Sequence, residues 1–167
     1  YKHLLKHYAP ENIGIFGCSA GGVLAAQAVA WFDDVVLPQP GAIGVFCAGA
    51  GQVGIGDSNE IANTFGSNLL GGDIEYLEGV DWKDRLVGPM HHPDLMAKFP
   101  PTLLITSTRD FAMSSALFTH QQLLANGAQS ELHVYEGLRH YFYADTGLEE
   151  SRQAFAVMAE FFQRRLK

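Results

Sequence analysis

Long apolar runs and positive charge are both scarce in this chain of 167 residues. No apolar stretch reaches the roughly 20 residues that a membrane-spanning helix needs, so no membrane span is predicted. Eleven lysines and arginines stand against 18 acidic residues, which gives a formal net charge of -7. Phosphate backbones repel a chain of that charge, and nucleic acid is therefore not expected as a partner.

Cysteine is also scarce, because the chain has only Cys18 and Cys47 and no Cys-x-x-Cys pair. Two isolated thiols favour a reducing compartment over a disulfide-bonded scaffold, so a cytoplasmic location is predicted. The seven histidines show no spacing typical of zinc ligands, and no metal site is expected. Charged residues make up 17% and hydrophobic residues 47%, which indicates one domain with a sizeable core.

Residues 17–22 have the sequence Gly-Cys-Ser-Ala-Gly-Gly, between an apolar strand-like run at 13–16 and a helix-like run at 23–32. The pattern Gly-x-Ser-x-Gly between a strand and a helix is typical of the nucleophile elbow, a sharp turn that exposes a serine hydroxyl. It predicts that Ser19 is a nucleophile and that the Ala20 backbone N–H faces the reacting oxygen. Side chains at positions 17 and 21 are expected to collide with neighbouring backbone.

An aspartate and a histidine each follow the end of a later predicted strand, as Ser19 follows the end of the first. Asp110 comes just after the predicted strand 102–106, and His140 follows the predicted strand 132–135. The carboxyl ends of parallel strands share one edge of a sheet, where ligands bind. The order serine, aspartate, histidine is that of the α/β-hydrolases. Ser19, Asp110 and His140 are therefore predicted to form a catalytic triad.

Each member of this triad has competing interpretations. Asp110 is also placed to cap the helix that follows it, and Glu136 and Asp145 are the rival acids nearby. His133 lies inside a predicted strand and His120 inside a predicted helix, so both are interpreted as structural. Only His140 lies on a loop after the last predicted strand.

A second glycine pattern, Gly-x-Gly-x-x-Gly at residues 49–54, matches the dinucleotide fingerprint. Asp73 lies at about the distance expected for a ribose-binding acid. However, residues 55–59 are a poor helix opening, and residues 70–72 do not end a second strand. A loop that crosses the edge of the active site is the favoured interpretation, and no cofactor is expected.

The predicted fold class is α/β, with a parallel sheet of about four strands, flanking helices and a single partial domain over residues 1–167. A lead-in helix is expected over residues 1–12, and residues 51–98 form an excursion between strands. The predicted strands are 13–16, 42–46, 102–106 and 132–135.

Three segments of the chain, residues 17–22, 98–110 and 136–140, resemble the C-terminal half of the hormone-sensitive-lipase-like esterases, the α/β-hydrolase-3 group. The resemblance implies a carboxylic-ester hydrolase in which Ser19 attacks, His140 is the base and Asp110 orients it. It also implies that the first half of the family's sheet is missing. The chain departs from the family at Cys18, where aspartate is usual, and at Tyr141, where glycine is usual. The family's His-Gly-Gly oxyanion loop has no counterpart here.

These features predict two-step acyl transfer on a small-molecule ester with a short acyl group. Because half of the sheet and the oxyanion loop are expected to be missing, impaired turnover is expected of the chain taken alone. An exposed sheet edge makes self-association, or a homo-oligomer, a further expectation. The alternatives are a hydrolase-fold binding protein without turnover, or an acyltransferase or peptidase that uses the same triad.

Overall fold

The computed structural model describes residues 1–64 and 78–167. Its sheet has four strands in the order β1-β2-β3-β4, and each neighbouring pair is parallel. The predicted α/β fold with a four-stranded parallel sheet is confirmed. The strands, three of them longer than predicted, are Gly14–Cys18 (β1), Ala42–Phe46 (β2), Thr102–Arg109 (β3) and Ser130–Arg139 (β4).

Helices cover both faces of this sheet. They are Ala20–Asp34 (α1), Gly56–Thr64 (α2), Pro93–Met96 (α3), Met113–Ala125 (α4) and Glu149–Arg165 (α5). One hydrophobic cluster joins α1 and α4 to Ile43 and Val45 of β2, and a second joins α5 to Ala42 and Phe46. Every residue of β2 is buried, as expected for a parallel strand between two helical layers. None of the described helices is long and apolar enough to cross a membrane.

The expected lead-in helix over residues 1–12 is wrong. This segment forms two short 3₁₀ turns, Leu4–Lys6 and Pro10–Asn12. The Tyr1 ring stacks on Phe32 at a centroid distance of 4.2 Å, and its hydroxyl donates to a backbone oxygen 2.8 Å away. Tertiary contacts therefore fix the start of the chain, and the segment is too short for a helix that is stable by itself.

The expectation that residues 55–59 do not open a helix is also wrong, because α2 begins at Gly56. The Ser58 hydroxyl donates to the Phe111 carbonyl at 2.8 Å and accepts the Ser114 N–H at 2.9 Å. These bonds tie α2 to the start of α4, so tertiary contacts override the weak local propensity. Asp73 and residues 70–72 lie outside the described residues.

Strand β1 lies at one edge of the described sheet and pairs with β2 alone. Its Phe16 side chain is 67% exposed. An edge strand with an exposed apolar residue can pair with a strand of another chain. Self-association through this edge stays a prediction.

The turn from β1 into α1 has a strained backbone at Ser19, where φ is 54° and ψ is -123°. Such a positive φ is rare for any residue except glycine. A Cβ atom at Gly17 would overlap the backbone carbonyl of Gly21, which confirms the predicted collision there. The predicted collision at Gly21 is wrong, because open space surrounds that position. Gly22 instead makes the second close approach, against Ala48 and the backbone of the turn.

The two motif glycines should therefore respond in opposite ways to the same substitution. Gly17→Ala places a methyl group into backbone that cannot move aside, and we expect it to lower the free energy of unfolding by about 3 kcal/mol or more. Gly21→Ala adds a good helix former in open space within α1, and we expect a gain of up to about 1 kcal/mol. Urea unfolding of both variants checks this, and a destabilised Gly21→Ala protein would contradict it.

Candidate active site

The structure brings Ser19, Asp110 and His140 together at the carboxyl edge of the sheet. The Nδ1 atom of His140 lies 2.7 Å from Oδ1 of Asp110, and its Nε2 atom lies 3.0 Å from Oγ of Ser19. With the proton on Nδ1, the imidazole donates to the carboxylate and accepts the serine hydroxyl. A nucleophile, a base and an orienting acid within hydrogen-bonding distance can support covalent catalysis.

The Asp110 carboxylate is held by three donors. Asp110 is 1% exposed, and its Oδ1 accepts the Ala112 N–H at 2.9 Å in addition to the bond from His140. Its Oδ2 accepts the Thr106 hydroxyl, also at 2.9 Å. Burying a carboxylate is costly unless such donors are present. The three donors therefore fix the position of the group that orients the imidazole.

The His140 ring is confined by an aromatic neighbour. Phe111 stacks on it, with a centroid distance of 4.3 Å and an angle of 29° between the ring planes.

Tyr141, the residue after His140, has a φ of 57°, in the left-handed region that favours glycine. Its N–H donates to Sγ of Cys47 at 3.3 Å. Tyr141 thus adopts the backbone that a glycine would favour at this place.

Ala20 is the first residue of α1. The N–H groups in the first turn of a helix have no partner within the helix, and the helix dipole makes that end positive. The N–H groups of Gly22 and Val23 bond to the Ser19 carbonyl at 2.9 and 3.1 Å. The Ala20 N–H, next to Ser19 in the elbow, remains suited to receive a negative oxygen.

The rival residues lie elsewhere or make other bonds. His120 Nδ1 lies 2.8 Å from the Ser130 hydroxyl, and burial lowers the pKa of His120. The Asp145 carboxylate accepts a backbone N–H in an exposed turn, while His133 and Glu136 are part of β4. The alternative role of Asp110 as the N-cap of α4 is wrong, because Ala112 is the N-cap and no side chain caps the helix. The Asp110 carboxylate instead accepts the Ala112 N–H in the turn before α4.

The glycine pattern at residues 49–54 packs against α4. The Ala50 N–H donates to the Thr119 hydroxyl at 2.8 Å, and the Ser115 hydroxyl donates to the Gln52 carbonyl at 2.6 Å. A Cβ atom at Gly49 would overlap Ser115 and Thr119. The glycine is explained by this close approach to the helix, and the Ala50 N–H is not free for a phosphate.

One group of possible metal ligands occurs in the described residues. Ligand atoms of Cys47, Asp110 and His140 all lie within 4.8 Å of one another. Both imidazole nitrogens already have hydrogen-bond partners, Asp110 and Ser19. A metal ion here would have to displace one of them, and the expectation that the site has neither metal nor cofactor stays a prediction.

Three neighbours of Ser19, Asp110 and His140 were not predicted from the sequence: Thr106, Phe111 and Cys47. Thr106 has the pattern of an ordinary strand residue, and its bond to Asp110 depends on the chain folding back after β3. Phe111 follows Asp110 directly but has no signal of its own. Their contacts arise from the geometry of strand ends, which periodicity does not encode.

Comparison with known proteins gives a consistent result. The family model of the alpha/beta hydrolase fold matches residues 1–144. Esterase E25 is 35% identical with a TM-score of 0.89, and the match covers 100% of this chain and 53% of that chain. For EstE5-PMSF the identity is 25%, the TM-score 0.82 and the coverage 97% and 56%.

A third solved structure, an esterase from the bacterial hormone-sensitive lipase family, is 23% identical with a TM-score of 0.83. That match covers 98% of this chain and 57% of the other, and it shows the fold alone. The comparison with curated proteins gave no match. The chain spans about half the length of the solved structures it matches. Because the family model matches most of the chain, the resemblance noted in the sequence is confirmed: the chain belongs to the α/β-hydrolase-3 family, whose fold is the alpha/beta hydrolase fold.

Proposed function

We propose that the protein hydrolyses carboxylic esters through Ser19, His140 and Asp110. The observation that carries this proposal is the unbroken line of hydrogen bonds from the buried Asp110 carboxylate through His140 to the Ser19 hydroxyl. The names of the similar solved structures, esterases E25 and EstE5 among them, support the same chemistry.

The first step forms an acyl-enzyme. The Ser19 oxygen attacks the ester carbonyl carbon while Nε2 of His140 takes the hydroxyl proton, and Asp110 stabilises the imidazolium. The Ala20 N–H donates to the oxygen that becomes negative, and a donor at such a place is worth about 3–4 kcal/mol. His140 then gives its proton to the leaving alcohol, the carbon–oxygen bond breaks, and the acyl group stays on Ser19.

The second step releases the acid. His140 takes a proton from a water molecule, which attacks the acyl carbon, and the proton returns to Ser19 as that bond breaks. Both steps are acyl and proton transfers, so neither requires a metal or an organic cofactor.

We infer that the substrates are small esters with short acyl groups. We also infer weak turnover by residues 1–167 alone, because the elbow supplies a single oxyanion donor. Both cysteines are free thiols, and the cytoplasm remains the inferred location.

Covalent labelling tests the nucleophile without requiring fast turnover, because labelling is a single event. A fluorophosphonate probe should modify Ser19, and Ser19→Ala should abolish both labelling and hydrolysis of p-nitrophenyl butyrate. Peptide mapping by mass spectrometry identifies the site. The control is Ser107→Ala, which removes a buried hydroxyl bonded to the Arg139 carbonyl on a neighbouring strand. Labelling that survives in Ser19→Ala would contradict the assignment.

Two histidine variants distinguish a catalytic base from a residue with a structural role. His140→Ala removes the proposed base, and we expect labelling to slow by several orders of magnitude, as loss of a triad member does. His133→Ala removes a partly buried strand residue and should reduce stability more than reactivity. Labelling rates and thermal melts of both variants separate the two roles. Normal labelling by the His140→Ala protein would contradict the proposed mechanism.

A further inference from the structure

Two thiols and a phenol cluster behind the elbow, and the proposed reaction uses none of them. Cys18 precedes Ser19 at the end of β1 and is half-buried, and Cys47 follows β2 and is fully buried. Cys18 packs against the hydrophobic cluster that contains Cys47 and Tyr143, and each thiol shifts the pKa of the other. Tyr143 borders both of them and is 5% exposed.

Cys18 opens into a cavity of about 370 Å³. That volume is within the range of small-molecule sites in proteins. Aromatic and apolar side chains dominate the walls, and the main ones are Phe16, Phe46, Tyr141, Tyr143, Phe155 and Met158. A compound that enters this cavity therefore meets apolar walls and the Cys18 thiol.

Tyr143 lines this cavity, and its hydroxyl is a buried polar group without a set partner. Its oxygen is buried and makes no hydrogen bond that meets the usual distance and angle limits within the described residues. A buried hydroxyl without a partner is costly, and a ligand oxygen can satisfy it. Burial raises the pKa of Tyr143, so the phenol keeps its proton and can donate it in a hydrogen bond.

Of the three groups in the cluster, Cys18 loses its proton most easily, because its pKa is lowered while those of Cys47 and Tyr143 are raised. A hydrogen bond from Cys47 lowers the pKa of Cys18 to about 7, although burial opposes this shift. Tyr143 and His140 contribute to this lowering of the pKa, whereas the charge of Asp110 opposes it. The same bond, together with burial, raises the pKa of Cys47, which therefore remains the protonated donor. The thiolate is the reactive form of cysteine.

We propose that Cys18 is a covalent modification site for small uncharged α,β-unsaturated carbonyl compounds. The cavity walls favour an uncharged molecule, and the net charge of -7 disfavours an anion. The Cys18 sulfur bonds to the β-carbon, and the electron pair of the carbon–carbon double bond moves onto the carbonyl oxygen, which Tyr143 can stabilise. The resulting enolate takes a proton from water, so the net change is addition of S–H across the double bond. No oxidant or reductant is consumed.

N-Ethylmaleimide, an uncharged compound of this class, tests the proposal. The Ser19→Ala protein is used, so that the result does not depend on the proposed esterase. We expect one adduct, mapped to Cys18 by mass spectrometry, with the rate half-maximal near pH 7 instead of the roughly 8.5 of a free thiol. Cys18→Ser should give no adduct, and a sulfonated maleimide should react several-fold more slowly.

Two further variants test the cluster itself. Cys47→Ala removes the main donor to the Cys18 thiolate and should move the rate midpoint upward in pH. Tyr143→Phe removes a lesser contribution and should move the midpoint upward by a smaller amount. A first adduct on Cys47, a midpoint near pH 8.5 in the parent protein, or equal rates for the two maleimides would overturn the proposal.

Discussion

The buried Asp110 carboxylate is the constraint on which the rest of the site depends. Its oxygens accept hydrogen bonds from Thr106, Ala112 and His140. These donors come from the end of β3, from the turn before α4 and from the loop after β4, so all three must lie at fixed places. Leaving such a buried charge without its partner typically costs about 3–5 kcal/mol. The same bonds that keep this carboxylate buried therefore place the imidazole beside Ser19.

The ends of the strands determine which side chains lie together at the carboxyl edge of the sheet. Strand β2 is buried between two helical layers and is flanked by β1 and β3. The strands β1 and β2 end level with each other, whereas β3 continues past its pairing with Phe46 as far as Arg109. The absence of side chains at Gly17 and Gly22 permits the close contacts of the turn in which Ser19 has a strained backbone. Two adjacent residues therefore have different neighbours: the Ser19 hydroxyl contacts His140, and Cys18 packs against the hydrophobic cluster that contains Cys47.

The sequence was sufficient to predict the features that depend on local pattern and on topology. Apolar runs gave four strands, and parallel strands bring the residues after them to one edge, which is why Ser19, Asp110 and His140 could be named. The features missed depend on contacts between distant segments. The lead-in segment is fixed by stacking of Tyr1 on Phe32, and α2 is fixed by bonds between Ser58 and the start of α4. No propensity encodes such contacts.

The most direct test of the carboxylate's role compares two threonines in β3. Thr106 and Thr102 are both fully buried, and the hydroxyl of each donates one hydrogen bond, to Asp110 and to the Pro100 carbonyl respectively. Each change to valine should lower the free energy of unfolding by about 1–3 kcal/mol. The measurement is the rate at which a fluorophosphonate labels Ser19 in the two proteins. The account predicts that only Thr106→Val slows labelling. Each 1.4 kcal/mol of stabilisation that the transition state for labelling loses slows the rate by roughly tenfold. Equal labelling rates in both variants would contradict it.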